Sequence, residues 1–579
     1  MENKRKNIKR NNIIQLAFGL IIIVLVNVIG YYVFTRFDLT AEKRYSLSEP
    51  TKQMLNKLDD IVYFQIYLEG KFPAGFKRLK RETREMLDQF RAYSENIQYE
   101  FINPSASSDP KERNDVYLLL MERGLNPTDL NVKTNEGSSQ QIIFPGALVS
   151  YKGKEIPVEL LISQMGLPPE EVLNNSIQSL EFNLANAIRK LSISRKPKVG
   201  FLEGHGELSV LETADIAYAL NEYYTIERVE IAGQLNSLTE RKAIDSTKTT
   251  SRNKFDAIII AKPDTAFDEK DKFIIDQFIM RGGKVMWLID PVFASMDSIQ
   301  SADATVGVIN ELNLTDQLFN YGVRLNTNLV MDINALPIPL KTGDMGGSPQ
   351  IEFFPWYYFP VLNPLLEHPI VKNLNAIKTE FISSIDTLDN KGVKKTVLLT
   401  SSQYSRTVNT PVLISLDILH REPDKRLYNK KHIPVAILLE GKFKSLYWNR
   451  IPPEIRDDKD IGFVASSEPG KMIIVADGDV IKNQIRNTDE RPTPYPLGYD
   501  RYTGQTFGNK EFILNAMNYL IDENGLISIR SRELKLRLLD KTKINEHKLF
   551  WQIINTVVPV VIIVFLGIVL FYIRKKKYA

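Results

Sequence analysis

The sequence predicts an α/β chain in which a smaller β-α-β domain precedes a larger, doubly wound α/β domain, with one membrane-spanning helix at each end. Three observations carry that expectation. Apolar segments of bilayer-crossing length lie near both termini, at 13–34 and 550–573. Each is flanked on its outer side by lysines and arginines. Between them, short apolar β-branched runs alternate with segments of helical periodicity, the pattern of a mainly parallel sheet covered on both faces.

The terminal segments come first. A hydrocarbon core of roughly 30 Å takes about 20 apolar helical residues, and Ile13–Phe34 and Phe550–Ile573 are both that long. Lys4, Arg5, Lys6, Lys9 and Arg10 precede the first; Arg574, Lys575, Lys576 and Lys577 follow the second. Basic flanks stay on the cytoplasmic side, so the tails 1–12 and 574–579 are expected inside and the intervening body outside. Tyr31, Tyr32, Trp551 and Tyr572 stand where aromatic rings favour the interface. The stretch FTRFDLT offers no small-x-small cleavage site, so the first segment reads as an uncleaved anchor. Gln15, Asn27 and Asn555 are polar positions within the spans, suited to contact with a partner's membrane helices.

Composition narrows the function classes. The chain has 579 residues, a net charge of +4 and no cysteine. Disulfides, thiolate catalysis and cysteine-based metal sites are excluded. Several of the basic residues sit in the two tails, which leaves the body without the basic face that a nucleic-acid partner would need.

The first domain is expected over 35–193. Ser48 is a helix cap with Pro50 in the first turn that follows. IVYFQIYLEG (61–70) reads as a buried strand, Phe76–Ser94 as an amphipathic helix, and IQYEFINP (97–104) as a second strand parallel to the first. A hairpin turning at Lys152-Gly153-Lys154 and a helix with Ile177, Leu180, Leu184, Ile188 and Leu191 at helical spacing complete it. The arrangement resembles the opening half of a thioredoxin-like domain. The redox form requires Cys-x-x-Cys after the first strand, where this chain has LEGKFPAGF, so the redox motif is missing.

The second domain is expected over 194–545, with a subdivision near 310 as the alternative. KVGFLEGHGE (198–207), FDAIIIAKP (255–263) and the run from Lys284 to Asp290 are strands alternating with helices. In such sheets, ligands bind beyond the carboxyl ends of the strands. That places Gly204, His205, Gly206, Glu207, Asp264 and Asp290 as candidate ligand-binding residues. His205 could serve as a general base oriented by Glu203, Glu207 or Asp290, or could simply brace a tight strand-to-helix turn. The pattern is similar to class I glutamine-amidotransferase-like domains, whose catalytic cysteine is absent here. Asp477 and Asp479 end a later strand, but as a metal pair they lack a third ligand, and a strand-end turn is the expectation; no metal or cofactor is assigned. IEFFPWYYFPVLNP is dense in aromatics and prolines. Burial in a core or a domain seam is the default reading of this segment, with Trp356, Tyr357 and Tyr358 as the candidates for a partner surface if it is exposed.

The motifs KVGFLEGHGE and RGGKVMWLIDP, with the late block GNKEFILNAMNYLIDENGLISIRSRELKLRLLD ahead of a terminal span, resemble the gliding-motility-associated ABC-transporter auxiliary proteins (GldG type). The resemblance implies a periplasmic body on the bacterial inner membrane that works with a separate ABC permease and a separate cytoplasmic ATPase; the anchors, the missing redox motif and the lack of a complete catalytic set make a non-enzymatic role the expectation. Membrane lipid is then a partner through the anchors, and homo-oligomerisation is open. No G-x-x-x-x-G-K-[ST] run occurs, so this chain is not the ATPase. The alternatives are a cell-envelope enzyme built on His205 and a periplasmic scaffold for the gliding or secretion machinery.

Overall fold

The runs VYFQI and IQYEF become adjacent parallel strands, β1 (Val62–Ile66) and β2 (Ile97–Phe101). Parallel pairing requires a crossover, and α1 (Ala74–Tyr93) supplies it, burying Phe76, Leu79, Leu87 and Phe90 against the sheet. After α2 (Pro110–Glu122), β3 (Gly146–Tyr151) and β4 (Lys154–Glu159) extend the sheet antiparallel, in the order β2-β1-β3-β4. α3 (Leu180–Ser192) packs Leu184, Ile188 and Leu191 into the same core.

These coordinates are a computed structural model. It describes residues 2–32, 46–134, 137–162, 167–193, 195–245, 248–302, 304–345, 348–364, 366–390, 392–420, 422–458, 461–486, 492–522, 525–531, 544 and 546–578. The chain divides into two compact units, one formed by Ser46–Arg532 and the other by the two chain ends. The expected end of the first span at Phe34 and the arginine-alternating run beyond Ser531 lie outside the described residues.

The second sheet has seven strands. β5 (Lys198–Glu203), β6 (Thr225–Glu230), β7 (Ala257–Ala261), β8 (Lys284–Leu288), β9 (Val393–Thr400), β10 (Pro434–Gly441) and β11 (Gly470–Val475) stand in the order β9-β10-β11-β8-β7-β5-β6. The five from β6 to β11 are parallel; β10 and β9 close one edge antiparallel. Both faces are covered, as uninterrupted apolar strands demand. Ala257, Ile259 and Ala261 face a core shared with α4 (Ala214–Asn221) and α6 (Asn509–Ile521), whereas Ile258 and Ile260 face α5 (Glu269–Met280). This alternation follows from the two-residue period of a strand.

Three local outcomes bear on how the sequence reads. The run after α6 is a 3₁₀ turn, Leu526–Ser531, because Asp522 and Gly525 draw the Ile527 and Ser528 amides into a turn. Leu526, Ile527 and Ile529, placed by sequence in the second domain, are buried in the core of the first. Trp356, Tyr357 and Tyr358 belong to a long hairpin, Ala335–Met345 with Ser348–Leu362, and all three are buried in a core with Leu329, Met331 and Phe381. Among its described residues, Ile351 and Phe353 are exposed large apolar side chains.

The chain ends are helical over Glu2–Tyr32 and Lys548–Tyr578. Lys548–Lys576 is long and apolar enough to cross a membrane. The first helix contains the apolar stretch Ile13–Val28.

Candidate functional site

The strand order β6-β5-β7-β8-β11 reverses direction between β5 and β7, and ligand crevices in open α/β sheets form at such a switch point. Two charged clusters stand at the carboxyl ends of these strands.

The first is built on the turn that follows β5. Gly204 and Gly206 adopt φ of +111° and +73°, which glycine reaches at little cost. A Cβ on Gly206 would collide with the Asp264 carboxylate. The turn is tied to the end of β7, since the Asp264 and Thr265 amides both donate to the His205 carbonyl at 3.0 Å. His205 is buried, 5% exposed, with its ring stacked on Phe267 at 3.7 Å between centroids. Nε2 lies 3.0 Å from Asp271 Oδ2, and Nδ1 faces Glu207 Oε1 at 3.5 Å. Glu207 also accepts the His205 amide through Oε2 at 2.7 Å. Burial works to lower the imidazole pKa, but the Glu207 and Asp271 carboxylates outweigh it, and the ring is held above its ordinary value. Asp271 in turn accepts the Gly233 amide at 2.8 Å, so one imidazole joins three segments: the turn after β5, the loop after β6 and the first turn of α5.

Asp271 owes its position to the start of α5, where Asp268 is the N-cap and accepts the Asp271 amide at 2.7 Å. Asp268→Ala is expected to cost about 1 kcal/mol, read as a lowered urea midpoint of the full chain.

The second cluster surrounds Lys262, directly after β7. Its backbone is left-handed, with φ of +56°, an uncommon state for a residue with a side chain. Its ammonium pairs with Asp479 and, at 3.2 Å, with Asp290. Asp290 also accepts the Gly478 amide. Asp477 accepts the amides of Glu380 and Asp479 at 2.9 and 2.7 Å. Asp290, Asp477 and Asp479 converge within 4.8 Å of one another, the described group whose geometry suits a metal ion. The cation placed among them is Lys262, already paired with two of the three. Burial, reinforced by the neighbouring Asp479 and Asp290 carboxylates, pushes Asp477 well above the usual carboxylate range. Burial likewise raises Asp290 and Glu380. For Lys262 the same burial opposes the charge, but the Asp479 and Asp290 carboxylates prevail and its pKa rises.

The sequence candidates are thus distributed as follows. Gly204, His205, Gly206 and Glu207 form the turn after β5, and Asp264 meets them from the loop after β7. Asp290 belongs to the neighbouring Lys262 cluster. Glu203 is engaged by Arg228 at 2.7 Å and does not orient His205. Asp271 was not foreseen, because a carboxylate in the first turn of a helix reads as a dipole partner. Glu380 carried no signal at all. In the terminal helices, Asn27 and Asn555 each donate to the carbonyl four residues earlier in their own helix, at 2.9 Å; Gln15 is exposed.

Comparison with known proteins places this geometry. An uncharacterized protein of Borreliella burgdorferi is 23% identical over 98% of this chain and 99% of its own length. The solved mmIFT52 N-terminal domain aligns over 56% of this chain and 96% of its own, at 11% identity and a TM-score of 0.30, a score that does not establish a shared fold. Residues 41–150 match a domain of unknown function. Residues 196–516, more than half of the chain and the whole of the seven-stranded sheet, match the family described as an ABC-type uncharacterized transport system, with an auxiliary role. The chain therefore belongs to this ABC-transport auxiliary family.

Proposed function

We propose that this protein is a membrane-anchored, non-enzymatic accessory subunit of an ABC transporter, held by a helix at each end and acting with a separate permease and ATPase in gliding motility. The family match over 196–516 carries the transport part of the reading. The apolar helix Lys548–Lys576 supports the anchor. The second span, the cytoplasmic tails and the periplasmic body rest on the basic flanks of both apolar segments. Gliding rests on the resemblance of the quoted motifs. The strand order β2-β1-β3-β4, with a parallel pair and an antiparallel hairpin, supports a thioredoxin-like first domain. The parallel block with a switch point supports an amidotransferase-like second domain. The non-enzymatic reading is favoured by the enclosure of His205, whose ring nitrogens both face carboxylates.

Affinity purification from native membranes is expected to recover a permease and an ATPase with this chain. Repeated recovery of the chain without either would sink the proposal.

A further inference from the structure

The opposite edge of the seven-stranded sheet carries a different chemistry. A concavity of about 940 Å³ opens at the amino ends of β5, β6, β7 and β8, lined by seven basic and three acidic residues. The two terminal tails hold a large surplus of lysine and arginine, so the rest of the chain is acidic on balance. A basic concavity on an acidic body is a local concentration of charge, and such clefts focus the field on an incoming anion.

Two of the three acids are already engaged. Glu227 pairs with Lys198 at 2.7 Å, and Asp256 accepts the Lys198 amide at 2.8 Å. Arg281 has a structural task, donating to the carbonyls of Ile461 and Gly462. Arg195, Arg252, Lys254 and Lys284 make no ion pair among the described residues. Capping of the α5 carboxyl end accounts for Arg281 but not for these four.

Their placement is fixed by the backbone. Asn253 donates to the carbonyls of Phe278 and Arg281 at 3.0 and 3.4 Å, and the Lys254 amide donates to the Leu238 carbonyl at 2.9 Å. Arg252, in the strand, and Lys254, at the bend just past it, flank this anchored residue. Lys284 is tied beside them through its amide to the Asp256 carbonyl at 3.2 Å. The hydroxyls of Thr225 and Ser251 add hydrogen-bonding capacity to the lining.

From this geometry we infer that the amino-edge concavity is a binding site for a phosphate group, held by Arg252, Lys254 and Lys284 with Arg195 in the same lining. The multiple charged oxygens of a phosphate match a surplus of several cations better than a single carboxylate does. The proposal does not depend on the transport role. The same chemistry belongs to a soluble phosphate and to an anionic lipid headgroup, and the test separates them.

The full chain in detergent is titrated with inorganic phosphate by calorimetry. It is also mixed with phosphatidylglycerol or phosphatidylcholine, and retained lipid is counted by native mass spectrometry. The variants are R252Q/K254Q/K284Q and the charge-preserving R252K/K254R. Saturable phosphate binding that weakens at least tenfold in the first variant, survives in the second and fades with salt supports a soluble ligand. Selective retention of phosphatidylglycerol with the same variant dependence supports a lipid headgroup. Absence of both in the wild-type chain, which needs no variant to fold, overturns the site. Binding that is equal in wild type and R252Q/K254Q/K284Q also overturns it.

Discussion

Lys262→Met is expected to destabilise the body by about 3 kcal/mol at pH 7.5, and by less at pH 5. The ammonium is the cation within a group of buried carboxylates, paired with Asp290 and Asp479 and close to Asp477. Removing one partner of a buried pair leaves the others charged without compensation, which costs more than the pair itself contributes. The pH dependence follows from the acids. Asp290 and Asp477 have folded pKa values above the ordinary 3.8, and Glu380 lies above 4.5. Between its ordinary and folded values, each is protonated in the folded protein and ionised in the unfolded chain. Raising the pH through that window therefore costs stability. Without Lys262 the folded values rise further and the loss extends toward neutrality. Denaturant titration of the full chain at both pH values measures the effect. Asp290→Asn in the same background should restore part of the loss, and a variant indifferent to pH would refute the account.

His205→Ala should cost about 3 kcal/mol at pH 6 and flatten the stability profile above neutrality. The substitution removes the bridge between Glu207 and Asp271 and the stacking on Phe267. The sign runs opposite to habit for a buried histidine, because burial loses here to two carboxylates and the folded pKa lies above the ordinary 6.5. The stabilisation is thus complete below about pH 6.5 and is lost as the pH rises through the folded value. Wild type should lose stability on that limb, and the variant should not. Denaturation midpoints at pH 6 and pH 9 decide it; equal slopes in the two proteins would remove His205 from the explanation.

The parts of the fold that could be read in advance are those where burial leaves an unambiguous mark. AIIIA, and the runs VMWL and MIIV that each follow a lysine, are uninterrupted apolar stretches that read as strands buried on both faces, and they became β7, β8 and β11. VYFQI and IQYEF around a charged amphipathic helix made the first parallel pair equally plain. The hairpin Thr128–Thr134 with Gly137–Ile143, and the hairpin Thr239–Asp245 with Lys248–Asn253, are built from largely polar sequence. Nothing in TDLNVKT or KTTSRN separates a projecting ribbon from a loop. The aromatic segment around Trp356 announced that it was apolar, but not which side would cover it.

The candidate site was half legible for a related reason. A turn such as Gly204-His205-Gly206 declares itself locally, through residues that tolerate left-handed backbone. The partners of that turn come from elsewhere. Asp271 approaches from the next helix but one, and the carboxylates around Lys262 arrive from the ends of β8 and β11. Those contacts depend on which strands become neighbours, and strand order is a property of the assembled sheet.

That strand order also sets a timetable for the newborn chain. Val285 in β8 pairs with Met472 in β11, and the intervening polypeptide takes roughly 10–40 s to synthesise at ordinary elongation rates. Throughout that interval β8 stands at the open margin of a half-built sheet, offering Met286, Trp287 and Leu288 to any strand that passes. A ribosome paused ahead of residue 470, or a chain cut short there, leaves that margin permanently unmet. The stretch of synthesis between β8 and β11, rather than the finished protein, is where this fold is expected to be most open to misassociation.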